Sequence, residues 1–309
     1  MKLAAVSVDL DEVGCYAAIH GLEPPTEDAA HAIYRRALPR LRALFEDEGV
    51  PATFFAIGTD LDDDNGSRLR TLVEDGHEIG NHSLSHRYDL TRLTRDESDR
   101  EVGGGIDAIE RATGVAPTGF RAPGYTINEA VFDVLAARGV SYDSSVFPCP
   151  AYYGAKVAAI GSIRLAGRRS HSVVDDPRVL SAPADPYRIG RPYWRRGTGL
   201  MELPIGVSRG PRLPYIGTSV VLSGERGARW LTRSVLGRPL VNLELHGIDL
   251  ADADEDGLRF LRPHQPDLRR TANEKAAALR SALSTLRDAG YQFVTLERAA
   301  KRFRERLAP

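Results

Sequence analysis

Two histidines four residues apart, His82 and His86, stand in the segment Gly76-His77-Glu78-Ile79-Gly80-Asn81-His82-Ser83-Leu84-Ser85-His86. Neutral imidazoles at this spacing, on one helix turn or in a tight loop, can reach a single metal ion. The chain opens with a second cluster of metal-type side chains, Asp9-Leu10-Asp11. Together the segments supply an Asp–His–His ligand set and one spare carboxylate. Three protein ligands leave coordination positions open, as catalytic sites do and structural ones do not.

A divalent metal held by Asp11, His82 and His86 would bring the pKa of a bound water towards ~7. Asp9, on the same strand face as Asp11, would take the proton as that water attacks a carbonyl. The resulting oxyanion needs the metal and a backbone N–H. His246, alone after an apolar stretch, is placed to protonate the leaving group. Asp143 could hold the tautomer of His246, and Arg121 could orient Asp9 by a charge-assisted hydrogen bond. This is metal-assisted hydrolysis of an amide or ester.

The elements that would position these residues follow from periodicity. Leu3–Val8, Ala52–Ile57, Glu78–His82, Thr118–Arg121 and Val140–Tyr142 read as short buried strands. Between them, Leu38, Leu41, Leu44 and Phe45 form one helix face, and Arg68–Glu74, Asp96–Thr113 and Asn128–Arg138 are helical. Gly103-Gly104-Gly105 must weaken or bend the third of these helices. The alternation predicts a parallel sheet or barrel with helices outside, in which chemistry collects at the C-terminal strand ends. Asp9, Asp11, His82, Arg121 and Asp143 all fall at such ends. Residues 147–215, rich in Pro, Gly, Arg and Tyr, read as a loop-rich insertion with some β structure rather than a separate domain. Order resumes with a helix over Glu225–Leu236, a strand over Leu240–Leu245, a capping box at Thr271 and Glu274, a strand over Gln292–Leu296 and a basic terminal helix.

Composition bounds the rest. The 309 residues are long enough for one large core, and 42 acidic against 41 basic residues leave no global field favouring nucleic acid. Two cysteines without a CxxC partner argue against a zinc ribbon or a disulfide framework. No apolar run approaches a membrane span, and the apolar start is too short for a signal peptide, so the expected location is cytoplasmic. Arginines and aromatics in the insertion leave room for a peripheral membrane contact.

Five segments in order carry a family resemblance: Ser7-Val8-Asp9-Leu10-Asp11, His82-Ser83-Leu84-Ser85-His86, Phe120-Arg121-Ala122-Pro123-Gly124, Tyr142-Asp143-Ser144-Ser145 and Leu243-Glu244-Leu245-His246. The chain resembles the polysaccharide deacetylase (NodB-homology) family of metal-dependent carbohydrate esterases. The resemblance implies an α/β fold, a distorted (β/α) barrel of about seven parallel strands, and a divalent metal, Zn2+ first, with Co2+, Ni2+ or Fe2+ as other fits. It implies Asp9 as base, Asp11, His82 and His86 as ligands, Arg121 as partner of Asp9, and the backbone around Gly124 as oxyanion donor. Asp143 would tune His246, the general acid. The substrate would be an N-acetylated or N-formylated amino sugar, or a related glycan or lipid-linked sugar. Leu10 separates two aspartates that are adjacent in the commoner first motif, which suggests a divergent branch. An allantoinase-like amidohydrolase of small metabolites, or a sugar-binding protein without activity, are the other readings.

Plainer uses exist for other residues. His77 is expected to pack or bond near the third strand. The acidic run Asp60, Asp62, Asp63 and Asp64 reads as a solvated turn, because it lacks the ligand spacing of a calcium loop. Arg191, Arg195, Arg196, Arg209 and Arg212 read as loop surface rather than a phosphate grip.

Overall fold

A computed structural model describes residues 2–174 and 176–307, apart from the side chains of Glu27 and Asp28. The strands are β1 (Leu3–Asp9), β2 (Ala52–Ala56), β3 (Glu78–Asn81), β4 (Gly119–Phe120), β5 (Tyr142–Asp143), β6 (Tyr187–Ile189), β7 (Arg196–Glu202), β8 (Leu240–His246) and β9 (Gln292–Phe293). The helices are α1 (Val13–His20), α2 (Glu27–Ala30), α3 (Leu38–Glu48), α4 (Asp63–Glu74), α5 (Arg95–Thr113), α6 (Glu129–Ala137), α7 (Pro150–Leu165), α8 (Gly217–Val235), α9 (Ala272–Asp288) and α10 (Leu296–Arg306).

The sheet runs β6-β7-β5-β4-β3-β2-β1-β8, with β9 added to β1. From β7 through to β8 every neighbouring pair is parallel; β6 alone is antiparallel, against β7. The chain after β7 draws the two ends of this run together. Gly206 N donates to Asn242 O at 2.9 Å, and Asn242 Nδ2 donates to Leu203 O at 3.2 Å. The sheet is therefore curled into an incomplete parallel barrel.

Strand alternation sorts the side chains. On β1, Ala4, Val6 and Val8 join the large outer core under the helices, while Leu3 and Ala5 face inward. One end of the interior is closed by an apolar layer of Leu3, Ala5, Phe55, Tyr142, Met201 and Leu240, plugged by Leu296, Ala299, Ala300 and Phe303 of α10. The bulk of these rings requires glycines opposite. A Cβ on Gly119 would lie 2.0 Å from the Tyr142 ring, and one on Gly80 2.6 Å from the Phe55 ring. Above this layer the interior turns polar, through Ser7, Asn242, Ser144 and Arg121, to the open end where β1, β3 and β8 finish.

Residues 147–215 contain more regular structure than their composition predicts. Pro150–Leu165 is a four-turn helix, and β7 lies within the parallel sheet beside β5. Two other boundaries move for local reasons. Helix α4 starts at Asp63 because the Asp62 side chain accepts from Asn65 N at 2.7 Å. Helix α8 starts at Gly217, earlier than the periodicity shows, because a left-handed Gly224 breaks its stripe.

Candidate metal centre

β1 and β3 bring the predicted ligands to one point. His82 Nε2 lies 3.3 Å from Asp11 Oδ1, and His86 Nε2 lies 3.3 Å from Asp11 Oδ2. All three ligand atoms fall within 4.8 Å of one another, and all three residues are buried. These separations are long for charge-assisted hydrogen bonds, at ~2.7–2.9 Å. They match the edge of a tetrahedron with metal–ligand bonds of ~2.0–2.1 Å. Among the described residues, buried Asp11 Oδ1, His86 Nε2 and Asp9 Oδ2 have no hydrogen-bond partner. Buried polar atoms are rarely left so. The donor set and its orphaned atoms fit a divalent cation.

The loop holding both histidines is not a helix turn. Ser83 and His86 adopt left-handed backbone, with φ of 67° and 55°, a conformation that costs non-glycine residues of order 1–3 kcal/mol. Ser83 Oγ accepts from His86 N at 3.0 Å and closes the turn. Helix α5 presses the loop into place: Leu84 N donates to Glu101 O at 2.8 Å, and Ser85 Oγ to Glu101 Oε1 at 2.6 Å. Two of the three glycines of α5, Gly104 and Gly105, allow this approach. A Cβ on Gly105 would lie 2.2 Å from Asn81 Oδ1, and one on Gly104 2.8 Å from Leu84. His82 Nδ1–H donates to Arg121 O at 2.7 Å, which turns Nε2 towards Asp11. Burial opposes the charge of Asp11, yet the adjacent His86 and His82 hold its carboxyl well below its usual range.

Arg121 is fully buried and spent on its neighbours. Nη1 donates to Asp9 Oδ1 at 2.7 Å, Nη2 to Ser7 Oγ at 2.8 Å and Ser144 Oγ at 2.9 Å, and Nε to Ser144 O at 2.9 Å. The guanidinium also lies over the Phe55 ring, 4.3 Å from its centroid. This fixes Asp9 with Oδ1 engaged and Oδ2 free, 3.7 Å from His82 Nε2. Parallel register sets Asp9 opposite His246 and Ser7 opposite Glu244.

Asp143 is not the partner of His246, against the sequence expectation. Strand alternation decides this. Tyr142 faces the barrel interior, so Asp143 points the other way, next to Phe120 and Glu202 in the sheet. Its carboxylate accepts from Ser145 N at 2.9 Å and Ser145 Oγ at 2.8 Å. Burial raises its pKa, and burial and then the adjacent Asp143 push that of Glu202 well above the usual range. Ser145 Oγ in turn accepts from Ala122 N at 2.8 Å, so Asp143 braces the Arg121–Gly124 loop from behind. The residue that meets His246 is Glu244, whose Oε1 lies 3.0 Å from His246 Nδ1. The two-residue spacing in Leu243-Glu244-Leu245-His246 carried that signal.

Gly124 has a left-handed φ of 61° and lines a cleft of about 280 Å³ together with Asp11, His246, Tyr88 and Tyr125. His77 is structural, accepting from Ala52 N at 3.0 Å and packing against Phe54. Asp60 departs from the solvated-turn reading: burial, then the nearby Asp11, push its carboxyl up to about 7. Arg212 donates to Leu180 O at 2.7 Å within the insertion, and Arg191 pairs with Asp133 of α6, so these arginines hold the insertion in place.

Residues 28–142 match the family model described as polysaccharide deacetylase; Asp9, Asp11 and His246 lie outside the matched stretch. A peptidoglycan deacetylase of Helicobacter pylori is 30% identical over 146 residues, 47% of this chain and 49% of that protein. The matched region thus spans about half the length of that relative. A putative polysaccharide deacetylase from Mycobacterium smegmatis shares the fold over 100% of this chain and 93% of its own, with TM-score 0.59 and 20% identity. A pseudoenzyme of carbohydrate esterase family 4 from Bacillus anthracis shares it over 97% of this chain and 66% of its own, with TM-score 0.53 and 12% identity. These likenesses show the fold, a curled parallel barrel with a metal-type cluster at its open end. Residues 28–142 are thus similar to the polysaccharide deacetylase family, and the fold of the whole chain is that of a solved structure named for it.

Proposed function

We propose that this protein is a metal-dependent hydrolase that removes an N-acyl group, acetyl first, from an amino sugar. The observation that carries this reading is the single focus made by Asp11, His82 and His86, with free Asp9 Oδ2 on one side. Fold alone would not carry it, since a pseudoenzyme shares the fold. The similarity to a peptidoglycan deacetylase supports an acetylated amino sugar as the reference substrate.

The ion these residues would hold is zinc, which suits two imidazoles and one carboxylate; when bound it acidifies water and polarises the acyl oxygen. The chain does the rest. Asp9 Oδ2 takes the proton of the attacking water, and Arg121 keeps that oxygen aimed by gripping Oδ1. A backbone N–H at Gly124 faces the oxyanion as the carbonyl carbon becomes tetrahedral. His246, with Nδ1 on Glu244, gives its Nε2 proton to the leaving nitrogen, and the C–N bond breaks to acid and amine.

The test is turnover of acetylated amino sugars by zinc-loaded protein, its chelated form and Asp9→Asn. Loss of activity in the latter two is expected. Undiminished activity in both would overturn the mechanism.

A further inference from the structure

The cleft above the metal centre has a wall that the hydrolytic steps leave unused. Helix α7 turns Tyr152, Ala155, Lys156, Ala159, Ile160 and Ile163 towards it, at the three-and-four spacing of one helical stripe. Apart from Lys156 and the Tyr152 hydroxyl, this stripe is apolar, yet Ile163 is the one residue of the helix that the protein buries. Ile19, Tyr88 and Tyr125 face it from the barrel side. Apolar stripes normally face a core; this one faces the catalytic cleft.

Helix α7 is tied down on both sides of that cleft. Lys156 Nζ donates to Gly124 O at 2.8 Å. Past the C-terminal end, Arg168 Nη1 donates to His20 O at 3.0 Å and His171 N to Ala18 O at 3.3 Å. The helix thus passes over the site from the loop after β4 to the end of α1. A glycan chain is held by an open groove with many hydrogen-bonding side chains. Here the polar lining residues Asp11, His20, Ser170, Ser172 and His246 lie off the α7 stripe, and no amide or guanidinium side chain joins them. At about 280 Å³ the space is at the lower edge of small-molecule pockets, ~300–1,000 Å³.

We propose that the α7 stripe is a subsite for an apolar group carried by the leaving amine, so that the substrate is a small N-acylated amine with an aryl or alkyl group rather than a polysaccharide chain. The amine side is indicated because His246, the proton donor to the leaving nitrogen, lines the same cleft with its ring 6.2 Å from that of Tyr125, which faces α7. This rests on the amide-hydrolase reading and replaces its reference amino sugar with an apolar amine.

The test holds the acetyl group constant and varies the amine, using the zinc-loaded full chain on N-acetylglucosamine, N-acetylated chitotetraose and N-acetylphenethylamine. The expected kcat/KM is at least tenfold higher for the arylalkyl amide than for either sugar. Ile160→Asn is expected to raise KM for that amide about tenfold and leave N-acetylglucosamine unchanged. Preference for chitotetraose, or equal effects of Ile160→Asn on both classes, overturns the proposal. A binding arm separates its failure from that of the hydrolase reading. N-benzylacetohydroxamic acid should bind zinc-loaded protein at least tenfold tighter than acetohydroxamic acid, with the gain lost in Ile160→Asn. That gain without turnover of any amide would keep the subsite and sink the hydrolase; equal binding of the two probes would sink the subsite.

Discussion

His246 takes its partner from its own strand: Glu244 Oε1 lies 3.0 Å from His246 Nδ1, with the carboxylate fully buried. Burial opposes a charged imidazole, but Glu244 outweighs it, and the His246 pKa lies well above the usual value. A general acid must be protonated to act, so the rate falls as pH rises through this raised pKa. Glu244→Gln keeps the shape and removes the charge. The alkaline limb of the pH–rate profile should move to lower pH by about one unit or more, with a roughly tenfold loss of kcat at pH 8. An alkaline limb at the same pH in the variant would show that the pair does not set the acid.

Asp9 and the histidines should separate cleanly by metal analysis. Asp9 gives Oδ1 to Arg121, whereas His82 and His86 aim Nε2 at Asp11. Asp9→Asn is expected to retain about one equivalent of zinc and to lose ~10²–10⁴-fold in kcat. The double variant His82→Ala, His86→Ala should lose the zinc itself. Elemental analysis of both proteins reads the difference, and loss of zinc from Asp9→Asn would make Asp9 a ligand instead of a base.

Much of this arrangement was legible in the sequence, for a physical reason. Parallel strands buried on both faces are short apolar runs, and the candidate site residues fall where each run stops, at Asp9, His82, Arg121 and His246. What periodicity could not resolve was a one-residue phase. Val140–Tyr142 and the observed Tyr142–Asp143 differ little as segments, but the phase decides which side chain enters the barrel. It put Tyr142 inside and Asp143 outside. Helix α7 was hidden for another reason. Its apolar stripe faces a cleft, and the remainder mixes Ala, Gly and Ser with exposed Val157 and Leu165, so its pattern does not resemble that of a core helix. The glycines of α5 looked like a weakness because the sequence does not show what presses against them.

Gly105→Ala tests that contact. The added Cβ would meet Asn81 Oδ1 at 2.2 Å, and Asn81 Nδ2 donates to Val102 O at 2.9 Å in the same interface. Alanine favours the helix by ~1 kcal/mol, so a structural account based on propensity alone expects stabilisation. The clash instead pushes the His82–His86 loop away from Asp11. Zinc affinity is expected to fall about 10–100-fold, with a lower Tm of the zinc-loaded protein. Unchanged affinity in a competition titration against a chelator would show that the loop adapts.

At the far end of the barrel Glu78 gives the fold a pH dependence of its own. Its carboxylate accepts from Thr53 Oγ1 at 2.7 Å, Tyr142 OH at 2.7 Å and Glu297 N at 2.9 Å, joining β2, β5 and the start of α10. Burial outweighs these bonds and raises its pKa from 4.5 to about 7. The folded state therefore binds this proton more tightly than the unfolded chain does. The associated stability is fully present below pH 4.5 and is lost as pH rises towards 7. Glu78→Gln mimics the protonated acid, with its amide donating to Tyr142 and its oxygen accepting from Thr53 and Glu297. The variant should match the parent near pH 4.5 and be more stable at pH 8 by on the order of 2–3 kcal/mol. Urea unfolding at the two pH values measures this. A stability difference that does not change with pH would mean that Glu78 titrates alike in the folded and the unfolded chain.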